Sequence, residues 1–342
     1  MNVKVLCFLF ALSSAGSSRL AGATCTAKVV GSSFVISGCD SVIVVSGDVR
    51  VASGNLLVQN GTNSTTTANG KGNVVVGYNA TRGSHKDKRT GSHNVIVGDQ
   101  QNYTSYGGIV GGVGNEISGS YATAVGGTGN VASGARASIL GGQSNEAPAS
   151  NSAVAGGERN QATGDTSAVS GGVGNLANGQ WSSVSGGDHD QATGMASWAS
   201  GGQGNFASGE LSAVTGGSQN GATGVMSAIS GGEDSRATGF ASSVSGGQFN
   251  EADGGDASVS GGQGNYATGD RAWIGGGYGS FATADSSSIS GGAGGYAQGY
   301  ASSISGGSGN QTDGPVSSVS GGAGVTVNGE NDWAAGRLFQ DF

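Results

Sequence analysis

A Gly-Gly pair recurs every fifteen residues from Gly111-Gly112 to Gly321-Gly322, fifteen times in all. A fixed period of this length demands an architecture of stacked, nearly identical units. Counted from the second glycine, the position three places earlier is β-branched and aliphatic in Ile109, Ile139, Val154, Val169, Val184, Val214, Ile229, Val244, Val259, Ile274, Ile289, Ile304 and Val319. Only Ala124 and Ala199 break that series. Five places after the glycine stands alanine, unbroken from Ala132 to Ala297. Seven places after it stands glycine, replaced by Ala149 and Ala284. Asparagine holds the third place in most copies, including Asn115, Asn160, Asn205, Asn250 and Asn265.

Fifteen residues cannot make a helix-turn-helix unit, and Gly, Ser and Thr at this density oppose helix. They suffice for two short strands and two turns, with glycine expected to permit the turns and like positions stacking about 4.8 Å apart. The fold class expected is all-β, a parallel β-solenoid of about fifteen coils forming a rod on the order of 70 Å long. Alternation along each strand then assigns the faces. Val244 points inward and Ser243 and Ser245 outward; Asn250 and Ala252 point inward and Glu251 and Asp253 outward. The inward asparagines are expected to form a ladder, each amide bonding the coil above and below.

The 72 glycines and 11% charged residues of this 342-residue chain would by themselves indicate disorder. A linker has no reason to keep valine in register, so composition yields to period. One buried Val or Ile contributes roughly 1.5–3 kcal/mol per coil, against at least ~15 kcal/mol of backbone ordering. No coil folds alone, and stability must come from stacking within the chain and, as an expectation, from homo-oligomerisation. The net charge of −8 argues against nucleic acid as a partner. Lys86, Lys88 and Arg89, broken by Asp87, read as a solvated loop.

Residues 1–23 carry a lysine near the start, an apolar run from Val5 to Leu12 and the small-residue exit Ala21-Gly22-Ala23. This is the plan of a secretory signal peptide, too short in its apolar run to span a membrane once mature. A secreted or cell-surface location is expected, with Cys25 and Cys39 as one disulfide. Residues 24–59 read as a capping module, 60–108 as irregular first coils with polar loops, 109–329 as the regular array, and 330–342 as a C-terminal cap built on Trp333, Leu338, Phe339 and Phe342. Sequons at Asn60, Asn63, Asn79, Asn102 and Asn310 are candidate glycan acceptors on exposed loops in a eukaryotic host.

The Gly-x-x-Asn-x-Ala-x-Gly core, as in Gly247 to Gly254, with Val244 three places before it, resembles the head repeats of trimeric autotransporter adhesins. The resemblance implies a left-handed parallel β-roll, assembly as a trimer, and attachment to host matrix or other surfaces. The unit here is fifteen residues where that family's is typically fourteen, Asn stands where Ser is common, and the stalk and barrel anchor have no counterpart. The stretch from Gly72 to Asn115 also resembles the beginning of uncharacterised secreted bacterial proteins with such arrays. No binding residue of the adhesins maps onto a position of this chain.

Catalysis has little support. His85 and His93 flank an irregular loop, and Asp188-His189-Asp190 would place two carboxylates on one side if extended. A polysaccharide-active enzyme would have to rest on Asp188, Asp190 and Glu158, and no cofactor or metal motif is present: the calcium nonapeptide roll and the phosphate loop both fail on residue type. The reading adopted is therefore non-enzymatic. Tyr266, Phe281 and Tyr296 share one outward column with Phe206, and Trp273 and Tyr300 lie on nearby coils. These six are candidate surface-binding residues for a glycan or another extracellular ligand, or else a ladder that stabilises the rod. An adhesin-like or extracellular structural role leads. Ice binding is the alternative from another class, drawn from the Ser columns and from Thr163, Thr193, Thr223, Thr238, Thr268 and Thr283.

Overall fold

The computed structural model describes residues 26–30, 33–37, 55–83, 86–336 and 338–340. The signal segment, Cys25, Cys39, His85 and Phe342 lie outside the described residues. The chain divides into two units, Met1–Leu57 and Val58–Phe342. In the first, Thr26–Val30 pairs antiparallel with Ser33–Ser37 as a hairpin.

The second unit is a parallel β-solenoid of about sixteen turns. Two strands per coil follow from the two inward-pointing pairs of each repeat. The first sheet starts at Val74–Val76, continues through Val95–Asp99 and Ile109–Val113, and then advances coil by coil to Trp333–Ala335. The second sheet has sixteen strands, from Asn102–Tyr103 to Thr326–Val327. Between the two, single bridges in fifteen-residue steps, from Thr128↔Gln143 to Ser308↔Ala323, form a third, narrow ladder.

The interior matches the alternation. Val244, Asn250 and Ala252 are each at most 1% exposed, with Ser242 beside them at 0%. A coil's cross-section thus holds one β-branched side chain, one Ala, one Asn and one Ser or Ala, and the rest is backbone. Glycine serves this thinness in two different ways. Gly247 has a φ of 90°, and a Cβ there would also lie 2.1 Å from the Gly262 carbonyl oxygen. Gly254, in the column seven places on, needs no positive φ; its Cβ would meet the Gly269 oxygen at 2.0 Å.

Several expectations are corrected. Ile109 is not in the core: it is 43% exposed, and Val110 takes the inward place opposite Ile96 and Ala124. The steps from Val95 to Ile109 and from Ile109 to Thr123 are therefore fourteen residues long, and a register shift between Gly111 and Val113 brings in the fifteenth. Glycine serves as a turn residue at Gly247 and its counterparts, as expected, but not in the other turn. The turn before each first-sheet strand places Leu211, Met226, Asp256, Arg271 and Val316 in the left-handed region, φ 54–59°. Each such residue costs roughly 1–2 kcal/mol, offset by a backbone bond to the preceding coil, as from Leu211 N–H to the Met195 carbonyl at 2.9 Å.

The loop read as solvated is partly a cap. Tyr103 N–H bonds the Lys88 carbonyl at 2.8 Å, and Gly91 N–H bonds the Tyr103 carbonyl at 2.9 Å, so this segment covers the first edge of the second sheet. Arg82 donates to the carbonyls of Gln100 and Asn115, both at 2.6 Å, and Arg89 to that of Ala80 at 2.7 Å. At the other end, Trp333–Ala335 stays in register with Ser318 and Val319, beyond residue 329. Leu338–Gln340 then folds back antiparallel on it.

The asparagine column is a one-directional ladder between side chain and backbone. Asn145 Oδ1 accepts the N–H of Asn160 at 2.9 Å. Its Nδ2 donates to Gly141 in its own coil and to Gly157 in the next, both at 3.0 Å. The side-chain oxygen link runs from Asn79 to Gln101 and Asn115, and onward to Ser280, with Gln101 accepting through Oε1 and Ser235 through Oγ. Gln101 fills an Asn role unseen in the sequence, because it sits in a fourteen-residue coil.

Candidate binding surface

Of the six aromatic residues singled out by sequence, the structure joins three. Tyr266 and Phe281 stack with centroids 5.0 Å apart and planes 4° from parallel; Phe281 and Tyr296 follow at 4.9 Å and 9°. The rings lie face to face along the rod, so the column shows ring edges outward. Phe206 occupies the same column but is separated from Tyr266 by Gly221, Arg236 and Glu251. Trp273 lies on the first sheet, its indole over Gly275, where a Cβ would come within 2.9 Å of the ring. Tyr300 is an exposed turn residue.

Beside the start of the stacked column is a surface cavity of about 320 Å³ lined by Gln219, Asp234, Arg236, Phe249, Asn250, Glu251 and Tyr266. One wall is the turn that leads into the second sheet, where Gln219, Asp234 and Phe249 follow one another with φ of 58°, 49° and 55°. The other wall is the outer column of that sheet: Arg236, Glu251 and Tyr266, one coil apart. The groove is open at Gly221 and at Gly264, since a Cβ at either would touch nothing. Among the described residues, Asp234, Arg236 and Glu251 form no ion pair, and the side chains of these three and of Gln219 carry no hydrogen bond.

Of this lining only Tyr266 was a candidate binding residue from the sequence. A signal was nevertheless present in the relation between two columns. Val131, Leu176, Phe206, Tyr266, Phe281 and Tyr296 each follow a glycine two places earlier, at 129, 174, 204, 264, 279 and 294, as do the polar Glu116, Gln311 and Thr326. Where the turn carries a side chain, as at Ser144, Arg159, His189, Gln219, Asp234 and Phe249, the strand residue is Glu146, Gln161, Gln191, Gly221, Arg236 or Glu251.

Asp188, His189 and Asp190 do not assemble as alternation implied. His189 sits at φ 59°, which turns the chain: Asp188 stays outside, bonded to His189 Nδ1 at 2.5 Å, while Asp190 is fully buried. Asp190 occupies the Asn column, and Asn205 N–H donates to its Oδ1 at 2.7 Å. Its Oδ2 has no partner and takes the place of the amide that Asn175 directs at the carbonyls of Gly171 and Gly187. Burial raises its carboxyl above the usual carboxylate range, against the opposing effect of the Asn205 hydrogen bonds. Glu158 lies two coils from Asp188 in the bridge ladder, with Val173 between, and pairs with Arg159 at 3.0 Å. Among the described residues no three His, Cys, Asp or Glu side chains converge as a metal site.

Of the five sequons, Asn63 alone has an exposed side chain. Asn60, Asn79, Asn102 and Asn310 are at most 5% exposed. Asn60 Nδ2 bonds the Thr67 carbonyl at 2.8 Å, and Asn310 Nδ2 belongs to the ladder. The expectation of exposed acceptors is corrected at these four. The threonine column is interrupted by Asn178, Ser208, Asp253 and Gln298, and Thr163 spends its hydroxyl on Asn178 at 2.8 Å. Among the described residues no helix is long and apolar enough to cross a membrane.

No protein-family model matches the chain, and no curated protein matches it.

Proposed function

We propose that this is a secreted, non-enzymatic repeat protein that acts through the outside of its rod, as an adhesin-like or extracellular structural element. The observation that supports the reading is the stacked column Tyr266, Phe281 and Tyr296, three large rings in consecutive coils on the outer face of the second sheet. A solenoid repeats its surface at fixed spacing, so weak contacts sum without a deep pocket. Beads coated with the protein should be retained on immobilised extracellular polysaccharide or matrix under flow, more than beads coated with albumin. Retention equal to albumin would overturn the reading.

Association into a homo-oligomer, a trimer by the resemblance, belongs to the same proposal. The outer face of the first sheet offers paired small columns, Ser243 with Ser245 and Ser258 with Ser260, which lose little side-chain entropy on contact. Light scattering across a dilution series should give a constant mass of three chains; a monomer would remove the trimer. The same paired Ser columns favour ice binding as the second reading. Thermal hysteresis at high protein concentration would support it, and none would dismiss it.

A further inference from the structure

We propose that the groove between the turn residues Gln219, Asp234 and Phe249 and the strand residues Arg236, Glu251 and Tyr266 binds one hexose unit of an extracellular glycan. This rests on, and narrows, the surface-acting role given above.

Three observations carry it. The first is the lining. Hexoses present apolar C–H faces and a rim of hydroxyls that both donate and accept. Phe249 and Tyr266 supply rings for the first, and Gln219, Asp234, Arg236 and Glu251 supply two carboxylates, a guanidinium and an amide for the second. The carboxylates accept and the guanidinium donates, and charge-assisted bonds of this kind are the stronger ones. Among the described residues these four side chains have no hydrogen-bond partner, so contacting a ligand breaks no bond between them. About 320 Å³ lies at the small end of ligand sites, which suits one sugar ring better than a longer segment.

The second is the way Tyr266 is held. Phe281 covers one of its faces at 5.0 Å, and Tyr296 backs Phe281 in turn at 4.9 Å. The remaining face of Tyr266 looks toward the coil of Glu251, where the cavity lies. The stacked column thus fixes a ring face in advance of binding, which removes part of the ordering cost.

The third is the strain accepted at Phe249. A phenylalanine at φ 55° is unfavourable, and the same turn position is glycine in the next five coils, at Gly264, Gly279, Gly294, Gly309 and Gly324. Folding does not require the ring there: Ser144, Arg159, His189, Gln219 and Asp234 hold the same turn in other coils, and what is particular to Phe249 is a large apolar ring set against the groove.

The test uses the full chain and four probes: methyl β-glucoside, methyl β-galactoside, methyl α-mannoside and methyl β-N-acetylglucosaminide. Saturation-transfer NMR should show contact with at least one of them, with a Kd on the order of 1 mM, as a shallow site with few buried ligand atoms gives. Arg236→Ala and Phe249→Gly should each weaken that probe about tenfold or more. Phe249→Gly is the discriminating variant, because relief of the left-handed strain should leave its Tm unchanged or raised while binding falls. No transfer from any probe, or binding unchanged in both variants, would overturn the proposal. So would transfer confined to an Ala-Lys-Ala peptide, which would make the groove a peptide site. Beads still retained when no hexoside binds would sink the groove alone, and hexoside binding without retention would sink the adhesive role alone.

Discussion

Asp190 Oδ1 accepts the backbone N–H of Asn205 at 2.7 Å, the bond that Asn175 and Asn205 make in the coils on either side. Its second oxygen has no partner and stands where neighbouring coils place an amide donor, so a proton there restores the missing donor. The folded state raises the carboxyl above its unfolded value because burial disfavours the charge. The stabilising contribution of the proton is therefore complete below the unfolded value and lost as pH rises through the folded one. Asp190→Asn should stabilise the protein at pH 7 by about 1–3 kcal/mol. That gain should shrink to near zero as the pH falls below the ordinary aspartate range. Urea unfolding of both proteins across pH decides it, and a gain independent of pH would show that the carboxyl is not the cause.

The ladder itself predicts a larger effect. In Asn160→Ala the N–H of Asn175 and the carbonyl of Gly156 lose their partner, and the carbonyl of Gly172 keeps only the N–H of Glu158. Leaving buried groups unsatisfied should cost about 2–4 kcal/mol. Hydrogen exchange should show the protection of amides in the coils around Asn160 falling first, since neighbours stabilise each other in a stacked array. Asn160→Asp should reproduce the pH dependence of Asp190, and stability that is flat across pH in this variant would contradict the assignment.

The two faces of the rod can be separated by charge. Val244 is 1% exposed among apolar neighbours, so Val244→Asp should cost more than about 3 kcal/mol. Glu251 stands on the outer column of the second sheet, and Glu251→Lys should change stability by less than about 0.5 kcal/mol. Circular dichroism melts give both values, and comparable losses would mean that the faces are misassigned.

What could be read from the chain alone divides along physical lines. Val244, Asn250 and Ala252 were legible because period-two alternation holds wherever the backbone is extended. It fails at left-handed residues: His189 turns the chain so that Asp188 and Asp190 part company. Ile109 misled for a related reason, since the register shift before Val113 exchanges its face with that of Val110. The groove was harder still. Phe249 and Tyr266 lie seventeen residues apart in two different columns, and only the coil-to-coil offset makes them walls of one cavity. The fit of Gln101 into an asparagine column was hidden by the one-residue difference in coil length.

The glycines seven places beyond each Gly-Gly pair give the last test, because the chain contains its own exceptions. A Cβ at Gly254 would meet the Gly269 carbonyl oxygen at 2.0 Å, yet Ala284 occupies the equivalent place. Its coil gives slightly: Ala284 N–H reaches the Ala297 carbonyl at 3.5 Å, just beyond the 3.0–3.4 Å at which the glycines of this column make the same bond. Gly254→Ala should therefore destabilise by about 1–3 kcal/mol, the usual range for overpacking a close-packed interior. Ala284→Gly should move stability by less than about 1 kcal/mol. The tighter bond it allows is opposed by the greater freedom of glycine in the unfolded chain. Thermal melts of the two variants side by side check the asymmetry. Equal tolerance of alanine at both positions would mean that the contact between coils, rather than being set by the glycine column, adjusts freely along the rod.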